Sequence, residues 1–149
     1  MTAPVGGTGK ADLVAEVRSW IGTPYLHQAS VKGAGADCLG LVRGVWRHLQ
    51  GAEPEPVPSY TADWAEPVRD EILWRAARRW LREVAPQDDG IGDVLLFRMA
   101  KSGIAKHLGV QVTVGAAPSF VHAYSGHGVV ETRLSQPWRL RVVARFSFP

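Results

Sequence analysis

A single cysteine, Cys38, and five histidines stand out among the 149 residues. A thiol with an imidazole beside it is the pairing from which a covalent nucleophile and its base are made. Cys38 lies in Gly35-Ala36-Asp37-Cys38-Leu39-Gly40-Leu41-Val42, where a Gly-rich stretch gives way to apolar residues at helical spacing. That places it at a helix N-terminus. Unpaired backbone N–H groups and the positive end of the helix dipole favour a thiolate there, and the same N–H groups can hold the oxyanion of a tetrahedral intermediate. A lone cysteine among apolar residues is equally the mark of a small buried hydrophobe, so the choice turns on finding a base.

His107 supplies one by pattern. His107-Leu-Gly-Val-Gln-Val-Thr-Val114 alternates, with Leu108, Val110, Val112 and Val114 expected toward the core and His107, Gly109 and Gln111 on the opposite, uncovered face. Gly109 leaves space beside the ring for a helix N-terminus packed across the sheet. His122 shares a face with Phe120 and Tyr124 and is the candidate to orient the His107 ring, the third role of such a triad. A tight turn over 115–118 sets His122 opposite Gln111, about 13 Å along the strand from His107 at about 3.3 Å per residue; a longer loop through Thr113 sets it opposite Gly109, about 7 Å away. His127, between Gly126 and Gly128, is the rival orienting residue, and a plain core histidine is the other reading of His122. Cys38, His107 and His122 are also zinc-ligand types. No short pairing such as Cys-x-x-Cys or His-x-x-x-His occurs, so neither a metal nor another cofactor is expected.

The elements that must hold these residues fall into two halves. Residues 1–9 read as a flexible tail. Lys10 to Ile21 carries Leu13, Val14, Val17, Trp20 and Ile21 at helical spacing, closed by Gly22 and Pro24. After a Gly- and Ala-rich loop, a second helix is expected from Cys38 to Gln50, with Gly40 and Gly44 allowing close packing. Glu53-Pro-Glu-Pro-Val-Pro58 is an extended connector. Pro67 opens a third helix reaching about Val84, with Val68, Ile72, Ala76, Trp80 and Val84 on its buried side. Its Arg75, Arg78, Arg79 and Arg82 read as a solvated face rather than a phosphate-binding stripe. From Gly92 onward strands are expected over 93–98, 107–114, 120–124, 128–133 and 139–148. Helices first and an antiparallel β-meander second make an α+β domain over 10–149.

Bulk properties narrow the function. With 46% hydrophobic and 21% charged residues the composition is globular. The formal charge of +3, without any run of Lys and Arg, argues against a nucleic-acid partner but suits an acidic polymer such as a bacterial cell wall. One cysteine excludes an internal disulfide. The first ten residues hold no apolar run and no stretch approaches the roughly 18 apolar residues of a membrane span, so synthesis in the cytoplasm without a signal peptide, and no membrane partner, are expected.

Gly22-Thr-Pro-Tyr25, Asp37-Cys-Leu-Gly-Leu-Val42, Gly92-Asp-Val-Leu-Leu-Phe97, His107-Leu-Gly-Val110 and Phe120-Val-His-Ala123 occur in the order found in the NlpC-type cell-wall peptidases, which the chain resembles over roughly residues 11–134. The resemblance implies a papain-like fold and a cysteine endopeptidase that hydrolyses peptide stems of bacterial peptidoglycan, between D-glutamate and diaminopimelate. Carried over by position, Cys38 is the nucleophile, His107 the base and His122 the polar residue that orients it. Tyr25 matches a tyrosine near the nucleophile and Asp37 the residue before it, both expected on the substrate or oxyanion side. Leu26-His-Gln-Ala29 replaces a Trp-Gly-Gly-like stretch, Leu39 stands where Ser is common, and 51–90 carries a longer helix than many relatives; these departures fall at the groove and bear on substrate preference. A lone catalytic domain looks most like the versions carried by tailed phages and gene transfer particles, which implies tail proteins as partners and action in the target cell wall. Acyl transfer to an amine or lipid through the same thioester, and a structural tail or wall-binding module with a degenerate site, are the competing functions.

Overall fold

A computed structural model describes residues 4–57, 60 and 70–149, with 4–8 described by backbone only. In chain order the elements are α1 (Pro4–Arg18), β1 (Ser30–Val31), β2 (Gly35–Ala36), α2 (Cys38–Gln50), α3 (Ile72–Trp80), β3 (Arg82–Val84), β4 (Val94–Arg98), β5 (Ala105–Thr113), β6 (Ser119–Tyr124), β7 (Gly128–Arg133), α4 (Gln136–Arg139) and β8 (Val142–Ser147). The helical stretch of α1 begins before Lys10, across a break at Gly9 (φ 45°, ψ −156°) that glycine accepts without a Cβ clash. Leu13, Val17 and Trp20 are buried. Ile21, expected to join them, is exposed: the helix ends at Arg18, and the turn that follows buries Trp20 and leaves Ile21 outward.

Helix α2 spans the residues its periodicity predicts and buries Leu41, Val42 and Val45. Its glycines mark contacts that no larger residue allows. A Cβ at Gly40 would lie 1.9 Å from the Ala29 carbonyl oxygen, and one at Gly44 would lie 2.0 Å from the Trp20 ring. The close approach of α1, the 23–37 loop and α2 therefore depends on those two positions.

The third helix departs from expectation. Pro67 and Val68 lie outside the described residues, and α3 stops at Trp80 instead of continuing to Val84. Its buried residues are Leu73 and Ala77, one position on from the expected Ile72 and Ala76. Leu81 turns extended (φ −115°, ψ 163°), and Arg82–Val84 pairs with Arg145–Ser147 of β8. An unfilled sheet edge has overridden local helix propensity. Arg75, Arg78 and Arg79 are solvent-facing and paired with Asp70, Glu83 and Glu55.

The main sheet has six antiparallel strands in the order β3-β8-β4-β5-β6-β7. Only β4 to β7 form a meander. After β7 the chain crosses one face of the sheet to bring β8 beside β4, and Leu134 and Trp138 on that crossing segment pack against Leu95, Phe97 and Phe120. The opposite face, built from Val94, Leu96, Leu108, Val110, Val121 and Ala144, packs on α1 and α2. The sheet is thus buried on both sides. The face expected to be uncovered is not: His107, Gln111 and His122 are 8%, 0% and 0% exposed. Val114, expected in the core, lies beyond the end of β5 and is exposed.

Candidate active site

Asp37 starts the site. As N-cap of α2 its carboxylate accepts from the Gly40 N–H at 2.7 Å, a contact of a kind that stabilises a helix by about 1 kcal/mol. The same carboxylate accepts from the Gln28 N–H at 2.7 Å and from the Tyr60 hydroxyl. Gln28 sits at φ 67°, a backbone conformation that strains a non-glycine residue. Asp37, expected on the substrate or oxyanion side, borders the pocket of Cys38 and His107, and its buried carboxylate accepts these cap and loop hydrogen bonds. These bonds fix the corner that carries Cys38.

Cys38, the first residue of α2, has its Sγ 4.0 Å from the Lys106 carbonyl oxygen of β5. The backbone explains the approach. Lys106 C=O and Leu108 N–H point to the same edge of β5, and pairing of β5 with β6 is registered only from Val110↔Val121 onward. The strands part below that point and the thiol lies against the opened edge. The helix therefore does not pack across the histidine face, as expected; it comes from the opposite face, and Cys38 and His107 line the same pocket at this gap. Gly109 leaves no room beside His107 either, since a Cβ there would fall 2.7 Å from the Phe120 ring.

Cys38 and His107 line one pocket of about 150 Å³, together with Tyr25, Tyr60, Lys106 and Tyr124 among others. His107 Nε2 is 2.7 Å from His122 Nδ1, and His122 Nε2 is 2.9 Å from Thr132 Oγ1. The register explains why His122 reaches. The β5–β6 pairs shift between Gln111 and Thr113, so the longer loop is the one adopted and Val110↔Val121 carries His122 to the level of Gly109. His127 is exposed and stacks on Tyr124 at 5.2 Å; the ring bonded to His107 is His122. For His107 to accept a proton through Nδ1, its Nε2–H must donate to His122 Nδ1. His122 Nε2–H then donates to Thr132 Oγ1. One tautomer set satisfies the whole relay.

Electrostatics give this relay a neutral resting state. Burial pushes the Cys38 thiol up to about 12 and Asp37 adds to the effect; backbone N–H groups of Leu108, Leu39 and Cys38 pull it down without overcoming them. The resting thiolate expected from the helix terminus is therefore outweighed by desolvation. Burial, and secondarily His122, lowers His107 to about 3; burial, and secondarily His127, lowers His122 to about 4. Tyr25 lies half-buried in the pocket, and its hydroxyl is raised by burial, then by Cys38 and Asp37, so it stays protonated as a donor. Among the described residues no group of three His, Cys, Asp or Glu side chains is arranged to hold a metal, and the two imidazoles spend facing nitrogens on each other.

Thr132 and Tyr60 were not singled out in the sequence. Thr132 sits in an ordinary alternating strand. Tyr60 follows a proline-rich connector, and only its ring type hinted at a role. Its carbonyl accepts from His27 Nε2 at 2.9 Å and Gln28 Nε2 at 2.6 Å, so the unusual Leu26-His-Gln-Ala29 stretch serves to hold Tyr60 at the site. Beside Tyr60 lies a larger cleft of about 640 Å³ between residues 53–57, α2 and α3, lined also by Leu39 and Leu108.

No protein-family model matches the chain. Over 132 residues, 88% of its length, the chain is 30% identical to the gamma-DL-glutamyl hydrolase of Bacillus subtilis (strain 168), of which it spans 27%. An NlpC/P60 family protein from Bacillus cereus superposes with a TM-score of 0.63 over 92% of the chain and 39% of that protein, at 17% identity. The chain has the NlpC/P60 fold. A lipoprotein-like NLP/P60 family protein from Staphylococcus aureus agrees, with a TM-score of 0.60 over 93% of the chain and 41% of that protein at 16% identity. The papain-like α+β architecture expected from the ordered motifs is therefore the one found. The chain spans less than half the length of each of these relatives, so what it has in common with them is this one domain.

Proposed function

We propose that the protein is a cysteine endopeptidase that hydrolyses peptide stems of bacterial peptidoglycan at the bond between D-glutamate and diaminopimelate. The observation that carries the reading is the shared pocket of Cys38 and His107, with His107 Nε2 tied to buried His122 and its Nδ1 left for the thiol. The 30% identity to a gamma-DL-glutamyl hydrolase supports the choice of a glutamyl bond. In this reading His107 takes the thiol proton as Sγ attacks the carbonyl carbon, because both groups rest uncharged. The oxyanion is received by backbone N–H groups at the start of α2 and by the Tyr25 hydroxyl. His107 gives its proton to the leaving amine, and a thioester to Cys38 remains. Water, deprotonated by His107, releases the acid and restores the thiol.

Digestion of purified peptidoglycan followed by mass analysis of the fragments tests this. The expected products carry a new amino group on diaminopimelate and a new glutamyl carboxyl. Fragments cut at another bond, or no fragments, would contradict the bond assignment or the activity respectively. Transfer of the acyl group to an added amine, giving amide instead of acid, would mark an acyltransferase. The resemblance to phage-borne versions extends the proposal to the place of action, a phage or gene-transfer tail; mass analysis of purified particles lacking this protein would refute that extension.

A further inference from the structure

We propose that Trp138 is a positioning residue of the Cys38–His107 pair, an indole cover that closes the outer side of the His107–His122 couple, fixes the orientation of both rings and shuts water from them. The proposal rests on the reading of Cys38 and His107 as the reacting groups.

Trp138 belongs to α4, a four-residue helix on the segment that must cross the sheet between β7 and β8. Its ring stands edge-to-face against His122 at 5.1 Å and 84°, and tilted against His107 at 6.0 Å and 36°. Phe97 at 5.4 Å, Phe120 at 5.2 Å and Tyr124 at 5.6 Å complete its surroundings. No other described side chain is in ring contact with both histidines and all three of these rings. Phe97 and Phe120, both fully buried, wall the couple on the sheet side; half-buried Trp138, with Tyr124 stacked on His122 beside it, forms the wall toward solvent.

The position matters for two reasons. The relay requires His122 to present Nδ1 to His107 and Nε2 to Thr132. Rotation of that ring by half a turn would replace both nitrogens with carbons, and an indole packed edge-to-face on it blocks the rotation. Water is the second reason. Desolvation is the largest cause lowering both histidines, and the solvent side is where a missing wall would admit water. The charged and titratable groups around the couple are the Cys38 thiol at the start of α2 with Asp37 as its N-cap, Tyr25, His27 and Tyr60 across the pocket, Lys106 on β5, Tyr124 and His127 on β6 and its turn, and Arg141 after α4. Arg141 lies over Trp138 at 5.5 Å.

The test compares wild type, Trp138→Phe and Trp138→Ala by three readouts: ¹⁵N NMR of the histidine side chains across pH, the acid edge of the rate of peptidoglycan cleavage, and thermal melting. In Trp138→Ala the protonation midpoints of His107 and His122 are expected to rise by about one pH unit or more, toward the solvated value. The ring nitrogens change from one tautomer each to a mixture, and the acid edge of cleavage moves up in parallel. Trp138→Phe, which refills part of the wall, falls between the two and decides the matter if the alanine variant does not fold. Unchanged midpoints and tautomers in both variants, with only a lower melting temperature, would overturn the proposal. The NMR readout needs no substrate, so the two ideas fail separately. A protein that cleaves no peptidoglycan yet shows the histidine shift supports the cover and sinks the hydrolase, whereas an active enzyme with unmoved histidines sinks the cover alone.

Discussion

The two faces of the main sheet are equally buried and built on opposite principles. The α2 face is apolar throughout: Val94, Leu96, Leu108, Val110 and Val121 meet Leu41 and Val45. The crossing-segment face buries polar groups in matched sets. One is the His107–His122–Thr132 relay, and the other is Arg145, fully buried, whose guanidinium donates to Gln111 at 2.6 Å and to Asp93 at 3.2 Å. Buried polar groups are costly unless satisfied, and on this face they satisfy one another. Both faces hold the fold together, the polar one also fixes ring and guanidinium geometry, and the pocket of Cys38 and His107 opens where the two meet, at the start of β5.

Substitutions can break this contrast. The largest effect is expected at the relay itself: His107→Ala should lower peptidoglycan cleavage by about 10⁴-fold, far more than the lowered melting temperature expected from leaving buried His122 unpaired could explain. A cleavage rate near wild type would remove His107 from the chemistry. Next come two changes that should act on stability and not on the pH profile of cleavage. Asp93→Ala leaves the Arg145 charge short of its buried partner and should cost about 3–5 kcal/mol; Leu96→Ala on the apolar face should cost about 3 kcal/mol. Urea unfolding of both measures this, and equal losses of well under 1 kcal/mol would mean that neither face is packed as described.

His122→Ala should slow cleavage by about 10²-fold, with partial rescue in His122→Asn, whose amide oxygen can still accept from His107 Nε2–H. Failure of asparagine to rescue would mean that His122 acts only by filling space. The smallest effect is the pH dependence of stability. Both histidines titrate lower in the folded protein than the ordinary 6.5, to about 3 and about 4, so the unfolded chain binds protons first. Their contribution is fully present above 6.5 and is lost as pH falls through the folded values. At the alkaline end, Cys38 raised from 9.0 to about 12 makes stability decline above about pH 9. Melting temperature against pH should show a plateau between these limits, with a shallower acid slope in His122→Asn than in wild type.

How far the sequence carried depends on whether a pattern is local. Helix α2 and strand β7 lie where their residue patterns place them, because apolar spacing and turn residues are local signals. The ordered motifs single out Cys38 and His107, which line one pocket, and the reach of His122 came down to a single question of loop length that the register answers. The covered second face was not legible. Alternation marks His107 and Gln111 as the polar side of a strand, and polar normally means solvated. Only the return of β8 to the edge of β4 drags Leu134 and Trp138 across that side, and no local pattern encodes a crossing. The same long-range pairing ended α3 early, since Arg82–Val84 is claimed by β8. Tyr60 escaped notice because its partners, His27, Gln28 and Asp37, lie at least 23 residues away in the chain.

The account rests on Cys38 as the nucleophile that His107 deprotonates. Its most direct test is release of amino groups from purified peptidoglycan by wild type and by Cys38→Ala, at equal concentration and with matched melting curves. The expected result is steady release by wild type and none above background by Cys38→Ala. Equal release by the two proteins would contradict it.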